Sequence, residues 1–574
     1  MCGVGGIYLP GTQIIHGEHE QILSRLNEAM ELRGPDASGV KISERVGLVH
    51  RRLSIIDLNE RSNQPVESED WILSYNGEIY NFKDIRKELS DKYKFETTCD
   101  TEVLLLALQE WGIEGALGKC AGMFAFLAYN KREEVLYAAR DRMGIKPLLM
   151  TRLDDGGYCF ASSVGALVSS IPDRAWERDN SALGSFFSLG APYTTAGVFK
   201  GIHRVEPAHY IRCTPDGNYD THRYWEPQYR PDFTMDDLAS VVREHQVADV
   251  DVALFMSGGV DSTFLATVSE DLDCFHLISP ETAYAEAVAE RFGRKFVQVA
   301  PNLEQYYRYQ VHVTRMHGEP LMSCGIPYVV SKEVRDHGYT VAISANGADE
   351  LFHGYPRTPM PEYTPKNLPL HETKTYRWIN QQVAHIFRDN RNFTMPEFEK
   401  HIPSLASVIG NLIEQCHLPN FPPSASHRWL ELMTYVLHDL NATLDASSMA
   451  NSVEVRVPFL DHRIVEGVLS WEANKLVTPK YGRKSPLKEY LSDYFPMSFF
   501  NRPKLGFSIH TDSLGPITKM SEHALARYKK NRSFRVNKKE KYGEYERDMI
   551  YLGSCCQVHE IWDEFANEQT GVRS

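Results

Sequence analysis

The sequence predicts two folded units in tandem: an α+β layered domain, then an α/β domain with a parallel sheet and a helical C-terminal part. Three observations carry this. The first 210 or so residues read as many short strands and few helices, separated by Gly-, Asp-, Asn- and Lys-rich turns. From Val250 the pattern becomes strand, helix, strand, which calls for crossover helices over parallel strands. From Leu368 onward the pattern is mostly helical.

In the first unit the predicted strands are Val4–Leu9, Gly47–Asp57, Trp71–Tyr75, Met123–Tyr129, Val135–Arg140, Leu148–Thr151 and Tyr158–Ala161. His19–Leu32, Phe82–Leu89 and Thr101–Trp111 carry the apolar spacing of helices. The stretch YWEPQYRPDF, from Tyr224, is rich in aromatics and proline and reads as a linker. These signals place the first domain at residues 1–212, the linker at 213–232 and the second domain at 233–574. In the second domain a helix is expected at Asp236–His245. The apolar run Val250–Met256 leads at once into SGGVDS and a helix at Thr263–Asp271. Strand Cys274–Ser279, helix Thr282–Phe292 and strand Lys295–Val299 follow. No internal repeat is present.

Composition bounds the function classes. Of 574 residues, 42% are hydrophobic and 24% charged, which excludes a largely disordered chain. The net charge of −14 argues against nucleic acid as a partner. One basic stretch, Lys529 to Lys541, reads as a solvated loop, with a docking patch for an acidic partner as the alternative. The ten cysteines show no C-x-x-C and no zinc spacing, so reduced thiols in a cytoplasmic setting are expected. No apolar run reaches the ~18 residues of a membrane span, and MCGVGGIYLPG does not read as a signal peptide.

Two constellations carry chemistry. The first begins at Cys2. Removal of the initiator methionine would put a thiol and a free α-amine on one residue, and an amine of pKa roughly 8 can act as the local base for the thiol. Downstream lie Arg33-Gly34-Pro35-Asp36, Arg52 in HRRLSIID, Asn76-Gly77-Glu78 in YNGEIYN and Asp100 in CDTE. A glutamine substrate needs a cation for its α-carboxylate, which Arg52 can supply. It needs carboxylates for its α-ammonium, which Glu78 and Asp100 can supply. Asn76 and the Gly77 N–H suit the oxyanion that forms when the thiolate attacks. Each residue alone is better read as a turn asparagine, a surface arginine or a solvated acid; the ordered set is specific. The second constellation is Ser257-Gly258-Gly259-Val260-Asp261-Ser262, between a buried strand and a helix, where small residues let backbone N–H groups close on a phosphate. It is not a Walker A loop; the alternative is a surface Gly-Gly turn.

With MCGVGG, LRGPDASG, HRRLSIIDL, YNGEIYN, CDTE, GMFAF, RDRMGIKPL, SGGVDS, NGADELFHGY, MANSVEVRVPFLDH, GRKSPLKEY and RPKLGF in this order, the chain resembles the glutamine-dependent asparagine synthetase family over essentially its full length. The resemblance implies an N-terminal glutaminase of antiparallel sheets between helix layers and a C-terminal ATP-pyrophosphatase domain. It also implies an ammonia tunnel and amidation of an acyl-adenylate. It places Cys2 as nucleophile, with Arg52, Leu53, Ile55, Asn76, Gly77, Glu78 and Asp100 around glutamine. It places ATP on Leu254, Ser257, Gly258, Gly259, Asp261, Ser262, Gly347 and Lys484, with Mg²⁺ on Asp261 and Asp349. Aspartate is the default carboxylate acceptor, and a homodimer is among the assemblies expected.

The sequence also departs from the family. Where the family reads S-G-E-G-x-D-E and then F-G-G-Y, this chain reads Ser344-Ala345-Asn346-Gly347-Ala348-Asp349-Glu350 and then Phe352-His353-Gly354-Tyr355. Asn346 cannot take a proton as a carboxylate can. The acceptor site therefore includes Asn346, Glu350 and His353, with His353 either a replacement base or a space-filler. A different carboxylate acceptor is the rival to aspartate. A non-catalytic regulatory relative is the reading of another class, which glutamate release from glutamine would test.

Overall fold

The computed structural model describes residues 2–11, 14–189, 191–192, 195–300, 303–322, 324–355, 393–394, 414–502, 535–536 and 556–569. The first half holds strands β1 (Gly3–Tyr8), β2 (Ala37–Ser43), β3 (Val46–Arg52), β4 (Val66–Glu67), β5 (Trp71–Ile79), β6 (Gly122–Asn130) and β7 (Val135–Arg140). It continues with β8 (Leu149–Arg152), β9 (Tyr158–Ala161), β10 (Ile202–Arg204), β11 (His209–Cys213) and β12 (Tyr219–Arg223). Its helices are α1 (Gly17–Ala29), α2 (Phe82–Leu89), α3 (Asp100–Lys119), α4 (Val164–Ser170) and α5 (Asn180–Leu189).

These strands form two antiparallel sheets, ordered β10-β8-β9-β1-β3-β2 and β12-β11-β7-β6-β5-β4. The sheets meet face to face through Val4, Tyr8, Leu48 and Phe160 of one and Ile72, Ala125, Leu127 and Ala138 of the other. Helix α1 lies on β1 and β3, and α3 on β5. The central strands β1 and β7 are thereby buried at every residue, while the edge strands β2 and β12 alternate.

The second half adds α6 (Met235–Glu244), β13 (Val252–Phe255), α7 (Val260–Val268), β14 (Asp273–Leu277), α8 (Thr282–Arg291), β15 (Phe296–Val299), α9 (Leu303–His317), α10 (Gly325–Asp336), β16 (Val341–Ile343) and α11 (Ala348–Leu351). The short strand β17 (Phe393–Thr394) stands apart, and β18 (Glu454–Arg456) completes a parallel sheet ordered β15-β14-β13-β16-β18. The chain leaves β13 outward through β14 and β15, then returns to the other side through β16 and β18. The order therefore reverses between β13 and β16, where a crevice opens at the strands' carboxyl ends. Beyond residue 414 the regular structure described is helical apart from β18, a hairpin of Val477–Thr478 with Gly482–Arg483, and Arg535–Val536 paired with β17, in line with the mostly helical pattern expected.

Some boundaries differ from the sequence reading. Gly47–Asp57 is a strand only to Arg52; the run LSIID is apolar because it lines a pocket as a loop. The helix expected at Thr101–Trp111 continues to Lys119 across a break at Gly112, φ 67°. Tyr219–Arg223, inside the stretch read as linker, is a strand paired with β11. The basic stretch from Lys529 lies outside the described residues except at Arg535–Val536. Among the described residues no helix is long and apolar enough to cross a membrane.

The halves are joined by buried ion pairs. Arg33 grips Asp445 with both terminal nitrogens, at 2.8 and 3.2 Å. Arg204 pairs with Glu319, and Arg456 with Glu78 at 2.9 Å.

Candidate active sites

The first site lies where β1 of one sheet passes β5 of the other. Cys2, at the head of β1, is buried, and its N–H donates to Asn76 Oδ1 at 2.8 Å. Arg33 Nε holds the Cys2 carbonyl at 3.2 Å. Burial pushes the Cys2 thiol up; a hydrogen bond from the Leu53 backbone and the charge of Arg52 oppose it. Asn76 Nδ2 is buried without a partner, as an oxyanion donor would be before substrate arrives. Gly77 is required by crowding, because a Cβ there would stand 2.2 Å from the Met123 carbonyl.

The pocket is lined by Cys2, Arg52, Leu53, Ile55, Gly77, Glu78 and Asp100, which the sequence reading brought together. Asp100 accepts from Tyr75 Oη at 2.6 Å and the Ile79 N–H at 3.0 Å. Burial and the adjacent Asp100 push the Glu78 carboxyl up, against Arg456, and Glu78 Oε1 has no partner. Arg52 braces the following loop, donating to the Asn59 carbonyl and Asn63 Oδ1, each at 2.9 Å, and to the Ile56 carbonyl at 3.2 Å. Gln64, Tyr75, Thr101 and Glu454 also line the pocket and were not foreseen. Glu454 comes from the far half, beyond any local signal.

The second site is a cleft of about 500 Å³ at the switch point between β13 and β16. Ser257, Gly259, Asp261, Ser262, Asn346, Asp349 and Lys484 line it. Gly258 takes φ 75°, and a Cβ would stand 2.7 Å from the Ala285 nitrogen. The loop is cross-tied by Ser257 Oγ to Ser262 Oγ at 2.9 Å and by the Gly259 N–H to Ser257 Oγ at 3.2 Å. It feeds the N-terminus of α7, whose free N–H groups suit phosphate. Leu254 and Gly347 do not line the cleft. Leu254 is fully buried in β13, and Gly347, φ 90°, caps α11 with no room for a Cβ beside Leu460.

Lys484 Nζ sits between two carboxylates, 2.6 Å from Asp349 Oδ1 and in contact with Asp261. Burial pulls its ammonium down, but Asp261 and Asp349 outweigh it and raise it. Asp261 Oδ1 is buried without a partner, so the Asp261–Asp349 pair fits a hard divalent cation whose other oxygens come from phosphates. Among the described residues no cluster of three or more metal-ligating side chains exists. Arg483, Lys488 and Arg502 also line the cleft and were missed, although GRKSPLKEY and RPKLGF contain them. Arg502 Nη2 holds the Gly258 carbonyl at 2.6 Å and its Nε meets Glu281 Oε1 at 3.1 Å.

Of the three acceptor-site residues, Asn346 alone lines the cleft. Its Oδ1 accepts from Ser344 Oγ at 3.0 Å. Glu350 is buried, accepting from Tyr355 Oη at 2.7 Å. His353 is buried as well, and burial with Arg428 and His427 nearby pushes its ring well below the usual range. It does not line the cleft.

Residues 1–225 match the glutamine amidotransferase domain family and residues 235–548 the asparagine synthase family. Asparagine synthetase [glutamine-hydrolyzing] 1 of Bacillus subtilis (strain 168) is 32% identical, over 89% of this chain and 87% of its own length. The chain belongs to the asparagine synthase family. It is an ATP-dependent ligase that hydrolyses glutamine as its nitrogen donor and acts on a carboxylate. Asparagine synthetase [glutamine-hydrolyzing] 3 of the same organism is 29% identical, over 82% of this chain and 81% of its own. Amidase chry2 of Gibberella zeae is 26% identical, over 82% of each chain. Within an asparagine synthase, the F-G-G-Y turn also explains itself: His353 takes φ 53°, a conformation in which glycine is unstrained.

Proposed function

We propose that this chain hydrolyses glutamine at Cys2, passes the ammonia through the interior and amidates an ATP-activated carboxylate, aspartate by default. The observation that carries the first step is the Asn76 side chain, with its oxygen on the Cys2 N–H and its amide nitrogen buried without a partner. The Cys2 thiolate attacks the amide carbon while Asn76 Nδ2 and the Gly77 N–H hold the oxyanion. Ammonia leaves, and water releases glutamate from the thioester. Glu78 and Asp100 face the α-ammonium, Arg52 the α-carboxylate.

In the cleft the acceptor carboxylate attacks the α-phosphorus of ATP and pyrophosphate leaves. Ammonia then attacks the acyl carbon and AMP leaves. Ser257, Gly259, Ser262 and the start of α7 cradle phosphates, and Lys484 neutralises charge on them. Mg²⁺ held by Asp261 and Asp349 would balance the pyrophosphate charge. Buried free thiols among the described residues agree with a reducing, cytoplasmic setting, and a homodimer belongs to the same reading.

A second reading changes the acceptor. Asn346 lines the cleft where a carboxylate would accept the proton that the incoming ammonia must lose, and the relative named an amidase supports other substrates. The test is a panel of carboxylates with glutamine, ATP and Mg²⁺, scored by AMP and amide formation. Asparagine from aspartate at high efficiency establishes the default acceptor. Glutamate release with no AMP from any carboxylate overturns the reading.

A further inference from the structure

The Cys2 pocket is not closed by the first half alone. Its wall includes Glu454 of β18, from the edge of the parallel sheet. Arg456 lies two residues on, on the same face of that strand. It donates from Nε to Glu454 Oε1 at 2.7 Å and from Nη2 to Glu78 Oε2 at 2.9 Å. Its Nη1 is fixed by the carbonyls of His245, 2.7 Å, and Val247, 2.6 Å. Its own carbonyl accepts the Ser344 N–H at 2.8 Å, at the start of the segment that lines the second cleft.

The guanidinium is fully buried and committed on every edge. With Glu454 on one edge, it cannot turn to take both oxygens of Glu78. Glu78 Oε1 is thereby left bare inside the pocket, beside a second acid, Asp100. A bare buried carboxylate oxygen is costly unless a donor arrives. The α-ammonium of an amino acid is that donor.

We propose that the synthetase half is part of the glutamine site: Glu454 forms its wall at the ammonium end, and Arg456 is a positioning residue that aims Glu78. The inference rests on the assignment of glutamine to the Cys2 pocket. The two halves then make one binding site, and the first half without β18 binds glutamine poorly.

Full-length Glu454→Gln and Arg456→Lys chains test this by glutamate release over a glutamine series, with ammonium-driven AMP formation as the measure of an intact second half. A lysine keeps the charge but cannot bridge Glu78 and Glu454. KM for glutamine rises about 10-fold or more in each, with kcat within about threefold because Cys2 and Asn76 are untouched. A merely structural lesion would lower kcat and AMP formation together. Native KM in Glu454→Gln, or a collapse of kcat at native KM, overturns the proposal. If Arg456→Lys loses both activities, Glu454→Gln decides alone; should that chain also fail to fold, the ligand-facing role is wrong. Cys2→Ala is run in parallel. Glutamate release that survives there overturns the glutamine assignment itself, a result distinct from the others.

Discussion

The two sites solve opposite problems. The Cys2 pocket is small, with β18 of the parallel sheet adding Glu454 to a wall otherwise drawn from the first half, and Glu78 Oε1 in it, like Asn76 Nδ2 beside Cys2, stands without a partner. The cleft is larger, and its strongest charges are paired with each other, Lys484 against Asp261 and Asp349. A ligand entering the pocket satisfies groups left bare. A ligand entering the cleft must replace partners that already exist, with phosphate taking Lys484 and a cation taking the carboxylates, of whose atoms Asp261 Oδ1 already stands bare. Substitutions in the pocket should therefore act on one substrate, and those in the cleft on the chemistry of ATP.

Cys2→Ala is the sharpest way to break the symmetry. It should lower glutamate release by at least ~10³-fold and leave ammonium-driven amidation intact. Loss of both activities would show that the pocket and the cleft are not separable. Asp261→Asn is the mirror experiment. ATP-to-AMP turnover should fall by ~10²–10³-fold while slow glutamine hydrolysis continues. Unchanged AMP formation would mean that the SGGVDS loop is misassigned.

Asn346→Glu restores a carboxylate to the cleft and should raise amidation of aspartate by roughly 10²-fold. If the native chain already uses aspartate well and the substitution does nothing, the default acceptor stands. The smallest effect lies at the Arg204–Glu319 pair that joins the halves. Burial pushes Glu319 up, but Arg204 and His317 outweigh it and hold it at about 2, below its ordinary value of 4.5. A depressed carboxylate stabilises fully above its unfolded value, so this share is present above pH 4.5 and fades as the pH falls toward 2. Urea unfolding of native and Glu319→Gln chains should differ by on the order of 3 kcal/mol near pH 6 and converge near pH 2.

What the sequence reveals follows from how local each signal is. Cys2, Asn76, Glu78 and Asp100 sit in short motifs whose order survives without the fold. Val4–Leu9 and Phe82–Leu89 are near or identical to the observed elements because turns and apolar spacing bound them closely. Gly47–Asp57 misleads because an apolar run reports burial, and burial in a pocket wall resembles burial in a sheet. His353 reads as a base because a histidine near a cleft has the right chemistry; its enclosure beside His427 and Arg428 depends on residues over 70 positions away. Glu454 and Arg456 sit inside a motif whose role is invisible until β18 reaches the other half.

The bridge from Glu78 to Arg456 also has a consequence in time. Glu78 leaves the ribosome 378 residues before Arg456. At ~5–20 residues per second this interval is roughly 20–75 s. Throughout it the nascent glutaminase half carries the acids Glu78 and Asp100 without the cation that aims them. On the proposal that Arg456 aims Glu78, a half-made chain holds glutamine less tightly until the strand that precedes its consumer's last motifs has been synthesised.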